Sequence, residues 1–175
     1  MAQAGTVTVS GGGNVTPAKR LIMMGRRYKN ALTNGNFTNG LEGWRERAAG
    51  KILGVFDGRL KVIVTQQYGQ VGPYWSPTIN HKYYFSADIE GTTDNYIVFA
   101  NRSFYLSHTG RQILSNIVTV YSESAYVAFG DRRVSDWTEF FIDNVIIIDL
   151  TSEFGAGNEP DLAWCNANIP QNIIW

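Results

Sequence analysis

The sequence is poor in the residues that staple, ligate or catalyse. One cysteine, Cys165, in 175 residues leaves no internal disulfide. Packing alone must therefore hold the fold, and that thiol reads as a small buried apolar side chain. The two histidines, His81 and His108, stand in different segments without metal-ligand spacing. There is no G-x-S-x-G, phosphate loop or dinucleotide fingerprint. No apolar stretch reaches the roughly 18 residues of a membrane span, and the N-terminus lacks the apolar stretch of a secretory signal. Synthesis in a cytoplasm is the expectation. The carboxylates Glu42, Glu46, Asp88, Glu90, Asp131 and Asp136 are scattered. Any two that met in space would suit glycoside hydrolysis, but scattered carboxylates on a β-rich domain read as solvated surface. An enzyme is not expected.

Acidic residues are missing from one end. Met1 to Leu41 holds no Asp or Glu, while Lys19, Arg20, Arg26, Arg27 and Lys29 are basic. The remainder carries ten basic against fifteen acidic residues, so the formal charge of zero hides a +5 end and a −5 body. Such asymmetry points to an arm with its own partner. Residues 1–29 read as that arm. Thr6 to Ser10 alternates and can add a strand to a partner's sheet edge, a glycine run follows, and Leu21 and Ile22 belong to an apolar plug between basic pairs. Lys19, Arg20, Leu21, Ile22, Arg26, Arg27 and Tyr28 are the expected anchoring residues. Five charges and one aromatic on a chain with an acidic body make a weak nucleic-acid site. An acidic protein surface is the better partner.

What is abundant is β-branched and aromatic residues punctuated by glycine, which favours strands joined by tight turns. Strands are expected at about 52–56, 59–65, 82–90, 95–101, 103–107, 112–122, 125–131 and 138–150. Asp57-Gly58 is a hairpin signal between the first two. About eight short strands at this spacing form a sandwich or barrel. EFFIDNVIIIDL, the longest apolar stretch, is expected across its centre. A short C-terminal helix follows, capped by Asn158 or Glu159, with Pro160 in its first turn, Asp161 complementing its dipole, and Leu162, Trp164 and Cys165 as its buried side.

Two segments carry a resemblance. Asn30, Leu32, Asn34, Gly35, Phe37, Gly40, Leu41, Gly43 and Trp44 match the opening run of carbohydrate-binding modules of the galactose-binding-like jelly-roll superfamily. IDNVIIIDL (142–150) is similar to the last strand of those modules. The resemblance implies an all-β, antiparallel jelly-roll β-sandwich over 30–151, with the extended arm before it and a turn and short helix over 152–175. A third segment, IDLTSEFGAGNEPDLAWCNANI (148–169), resembles the close of many tail, baseplate and minor structural proteins of bacteriophages. It implies a virion protein, assembled in the host cytoplasm in many copies on a capsid or tail. Such a protein is a decoration, head-fibre or tail component, fastened by its arm to other virion proteins.

The resemblance brings two further expectations. Modules of this family often hold a structural calcium, and Asn34, Asn36 and Asp143 are its matching positions, with Asn144 beside them. The family's usual acidic residue after the phenylalanine is Thr38 here. Turn hydrogen bonds are therefore the favoured reading of those asparagines, and no other cofactor is implied. Glycan binding needs aromatic platforms with amides nearby. The Gly/Pro-rich loop 66–77 supplies Tyr68, Tyr74 and Trp75 with Gln66 and Gln70. A purely structural decoration without sugar binding, a lectin, or a module of a hydrolytic enzyme are the alternatives. The last predicts an attached catalytic domain, which a chain read as self-contained from Met1 is expected to lack.

Overall fold

The computed structural model describes residues 28–133 and 138–170. Lys19, Arg20, Leu21, Ile22, Arg26 and Arg27 of the expected arm lie outside the described residues. Among the described residues ten strands make two antiparallel sheets. One runs in the order β2 (Gly50–Phe56), β3 (Arg59–Val64), β10 (Thr138–Asp149), β5 (Lys82–Gly91) and β8 (Gly110–Thr119). The other runs β1 (Trp44–Arg47), β4 (Gln70–Pro73), β9 (Val127–Asp131), β6 (Asn95–Phe99) and β7 (Arg102–Tyr105). This is the jelly-roll sandwich that the two end motifs imply. β10, the long apolar strand, lies at the centre of the first sheet, as its composition predicts.

Period-two alternation decides which side chains meet between the sheets. Leu60, Val62 and Val64 of β3 face Phe140 and Ile142 of β10. Across the gap stand Val71, Ile97, Phe99, Val127 and Phe129 of the other sheet. The β2–β3 hairpin turns on Asp57 (φ 50°) and Gly58 (φ 75°), both in the left-handed region that a type I′ turn requires.

β10 then breaks the alternation. Its pairing with β5 runs Asp143 to Asp88 and resumes at Ile146 to Ser86, with Asn144 at φ 48°. The bulge exchanges the faces. Phe140 and Ile142 point inward before it, Val145 and Ile147 after it, so Ile146 and Ile148 face outward. An apolar outer face needs a cover. Tyr28, α1 (Leu150–Phe154) and α2 (Leu162–Asn168) supply it, burying Ile146, Ile148, Tyr84, Cys165 and Ile169 in a second core.

Three sequence expectations change here. Tyr28, assigned above to partner anchoring, packs inside its own chain, stacked on Phe154 with ring centroids 5.9 Å apart. α2 is capped by Asp161, whose carboxylate accepts the Trp164 N–H, and not by Asn158 or Glu159. Glu159 instead accepts from the Thr151 hydroxyl and the Gly157 N–H. α1, capped by Asp149, was not foreseen, because five residues at the end of a strand carry no helical periodicity.

Two outcomes follow. A Cβ on Gly35 would sit 2.0 Å from the Val145 carbonyl oxygen, so Gly35→Ala is expected to cost about 3 kcal/mol, read as a lower urea midpoint at constant m value. Burial pushes the Cys165 thiol from its ordinary 9.0 up to about 12. The native thiol is therefore expected to resist aromatic disulfide reagents at pH 8. The stability held by its neutral form is fully present below pH 9 and drains away as pH rises towards 12.

Candidate functional site

The helices and Tyr28 cover half of the β2–β3–β10–β5–β8 outer face. The other half is a lattice of ion pairs, in which Arg59 binds Glu90, Lys61 binds Glu139 and Arg111 binds Asp88. The outer face of the β1–β4–β9–β6–β7 sheet is different. Register places Arg47, Gln70, Gly130, Tyr96 and Tyr105 side by side in one row across all five strands. Four strand spacings make that row ~19 Å long. One residue along the strands an inward row carries Val71, Phe129, Ile97 and Phe104, and two residues further another carries Trp44 and Phe99; these anchor the sheet in the core. The next outward positions are Arg45, Gly72, Ala128, Val98 and Ser103.

The middle of this face is built from small residues for a reason. A Cβ on Gly72 would strike the Val127 carbonyl at 2.3 Å, and one on Gly130 would lie 2.8 Å from the Tyr96 hydroxyl. Tyr96 can therefore lie over Gly130 and accept a hydrogen bond from the Gln70 amide at 3.1 Å. It is buried, grouped with Val98, Ala128 and Tyr126. That burial holds its phenol above the ordinary value of 10.0, with Tyr105, Tyr126 and Tyr68 adding to the rise and the Gln70 bond opposing it. Around it stand exposed rings: Tyr74 at 63%, Tyr68 at 57% and Tyr105 at 44% of full exposure. Three arginines lie over tyrosine rings here. Arg45 is 4.4 Å from the Tyr74 centroid, Arg47 5.1 Å from Tyr126 and Arg132 5.0 Å from Tyr105.

One residue beyond Gly130 along β9, beside the middle of the row, Asp131 is fully buried. It accepts from the Asn95 amide at 3.1 Å and from the Arg133 guanidinium at 2.7 Å. Asp94 pairs with Arg132 at 2.8 Å and with Arg133 at 3.5 Å. A buried carboxylate satisfied by an amide and a guanidinium fixes the strand ends and is not free for proton transfer.

The residues singled out in the sequence therefore divide. Tyr68, Tyr74 and Gln70 belong to this face. Segment 66–77 is not simply a loop, because Gln70–Pro73 is strand β4. Trp75 turns the other way: its ring lies 4.9 Å from Phe99 and 5.3 Å from Tyr83, packed on the core. It is no platform. Gln66 sits in the preceding turn, where its carbonyl accepts the Gly69 N–H. Arg45, Arg47, Tyr96, Tyr105 and Tyr126 were missed as site residues. Strand alternation alone marks them, once the pairing says which face is outside.

The calcium positions do not fit a hard cation. Asn34 accepts from the Asn39 N–H through its side-chain oxygen and donates its amide to the Gly40 and Glu42 carbonyls. The Asn36 oxygen accepts from the Thr38 N–H and hydroxyl. The Asp143 carboxylate accepts from Asn144 and lies 3.9 Å from Arg111. These are turn and bulge hydrogen bonds. Among the described residues no three His, Cys, Asp or Glu side chains gather as metal ligands.

No protein-family model and no curated protein matches the sequence. Solved structures do. One, described as "CBM4 structure and function", aligns at a TM-score of 0.52 with 15% identity over 67% of this chain and 98% of its own. A "Family 16 Carbohydrate Binding Module-2" aligns at 0.48 with 17% identity over 68% and 99%, and a mutant CBM29-2 module at 0.47 with 13% over 70% and 91%. The first likeness establishes the shared sandwich fold. What the face binds must be argued from its own side chains.

Neighbouring residues should behave oppositely. Trp75→Ala is expected to lose about 2–3 kcal/mol of stability through the cavity it leaves, while Tyr74→Ala stays within about 0.5 kcal/mol. Parallel thermal or urea melts read the difference.

Proposed function

We propose that this chain is a non-catalytic carbohydrate-binding protein that lays an extended glycan across the outer face of the β1–β4–β9–β6–β7 sheet. The observation that carries the reading is the transverse row Arg47–Gln70–Gly130–Tyr96–Tyr105, with Tyr68 and Tyr74 exposed beside it. A pyranose ring presents an apolar C–H face and an equatorial rim of hydroxyls. Exposed tyrosines offer the flat apolar surface, and guanidinium, amide and phenol groups offer the donors and acceptors for the rim. The row is long enough for several linked sugars. Its members stand on strands, so little ordering entropy opposes binding.

The finer reading is a bacteriophage virion protein, fastened to capsid or tail by its basic arm and displaying this face to host-surface glycans in many copies. What supports it is the resemblance of residues 148–169 to phage structural proteins and the charge of residues 1–29. Weak single-site binding would then gain avidity from copy number.

Affinity electrophoresis through gels containing cell-wall and plant polysaccharides tests the first reading. Retardation by at least one glycan is expected. Tyr74→Ala/Tyr105→Ala should weaken it about tenfold or more with the melting temperature preserved. Wild-type mobility unchanged in every gel would overturn the proposal. For the finer reading, deleting residues 1–27, which spares the packed Tyr28, should remove the protein from particles while leaving glycan binding intact.

A further inference from the structure

Elsewhere on this domain a guanidinium above a ring also has its carboxylate. Arg59 lies 4.5 Å from the Phe141 centroid and pairs with Glu90, and Arg132 lies over Tyr105 and pairs with Asp94 at 2.8 Å. Arg45 and Arg47 do not. Both lie on the outer face of β1, two residues apart, and each lies over a tyrosine. Neither has an ion-pair partner among the described residues, and every other position in the two outward rows is neutral. The Arg47 Nε–H is buried and has no hydrogen-bond partner. A buried donor left unmade is costly, and two like charges on one face of the same strand repel. Burial first, then the neighbouring Arg45 charge, pull the Arg47 guanidinium below its ordinary value. The face is thus arranged around a negative charge that none of the described residues provides.

We infer that the β1 end of the face takes an oxyanion carried by the glycan, a sugar carboxylate or a phosphodiester, on the donor edges of Arg45 and Arg47. The inference rests on the carbohydrate-binding reading and narrows its ligand to acidic glycans. A guanidinium held over a ring keeps its in-plane N–H groups available, and their fork matches a carboxylate or phosphate in a two-point contact. Tyr74 and Tyr126 hold the two side chains in place, so fewer rotamers are lost on binding. Tyr105 and Tyr68, along the same face, then meet the apolar sides of the following sugars.

The full-length protein would be titrated by calorimetry with polygalacturonate, poly(glycerol phosphate), a neutral β-glucan and single-stranded DNA. One acidic glycan is expected to bind about 10- to 100-fold tighter than the neutral one, and to weaken as sodium chloride rises. Which of the two binds separates carboxylate from phosphodiester. R45Q/R47Q should abolish the acid preference, bringing the affinities for acidic and neutral glycan to within about twofold of each other with a wild-type melting curve. Arg47→Lys, which keeps the charge without the fork, should fall between. If the double variant does not fold, Arg45→Gln alone, at an exposed position, should still reduce the preference. Equal or tighter binding of the neutral glucan would overturn this inference and leave the carbohydrate reading standing. Binding of no glycan would overturn both. DNA bound more tightly than any glycan would overturn the oxyanion assignment to a sugar.

Discussion

Asn30 turns its carboxamide into the gap that the bulge leaves in β10, and the organisation of both faces follows from that contact. Its oxygen accepts the Leu32 and Ile147 N–H groups at 3.0 and 2.8 Å, and its amide donates to the Val145 carbonyl at 3.1 Å. Gly35 joins from the same turn, its carbonyl accepting the Val145 N–H at 2.8 Å. Backbone groups that a bulge withdraws from the ladder are thus satisfied by the start of the domain. With the bulge held, the last part of β10 can present isoleucine on both faces. The outer pair is affordable only under a cover, and Tyr28 and the two short helices provide it.

That cover divides the labour between the sheets. One outer face is closed at one end by a second core and occupied at the other by ion pairs that satisfy one another. The opposite sheet keeps its outer face open and lines it with tyrosine and arginine. The proposed binding surface is therefore set on five strands whose inward side chains are locked in the core, and its geometry does not depend on a loop finding its shape. Glycine and alanine at the centre matter as much as the aromatics. They let Tyr96 lie down, and Tyr96 in turn holds Gln70.

Much of this is legible in the amino-acid sequence alone. The alternation of Leu60, Val62 and Val64 marked a half-buried strand, and Asp57-Gly58 marked its turn. The opening and closing motifs marked the two stretches that meet at the bulge, and so implied the jelly roll. Other features misled for identifiable reasons. The glycines and proline of segment 66–77 suggested a loop, but they accompany a short strand squeezed between neighbours, where Gly72 is needed for close approach. Tyr28 looked like part of a basic arm because charge surrounds it in sequence, whereas its contacts are with Phe154, more than a hundred residues away. Tyr74 and Trp75 looked equivalent, and strand parity sends one outward and the other into the core.

The chain's own residues thus determined the strand pattern, the hairpin turn, the apolar centre and the absence of a disulfide, because each depends on local preference or composition. Which face is open, and which polar side chains share it, was decided only by tertiary structure. Arg47, Gln70, Gly130, Tyr96 and Tyr105 come from five strands spread over some eighty residues, and nothing in their spacing marks them as a group. They become neighbours because antiparallel pairing sets their register, and they become a surface because the core takes the side chains between them.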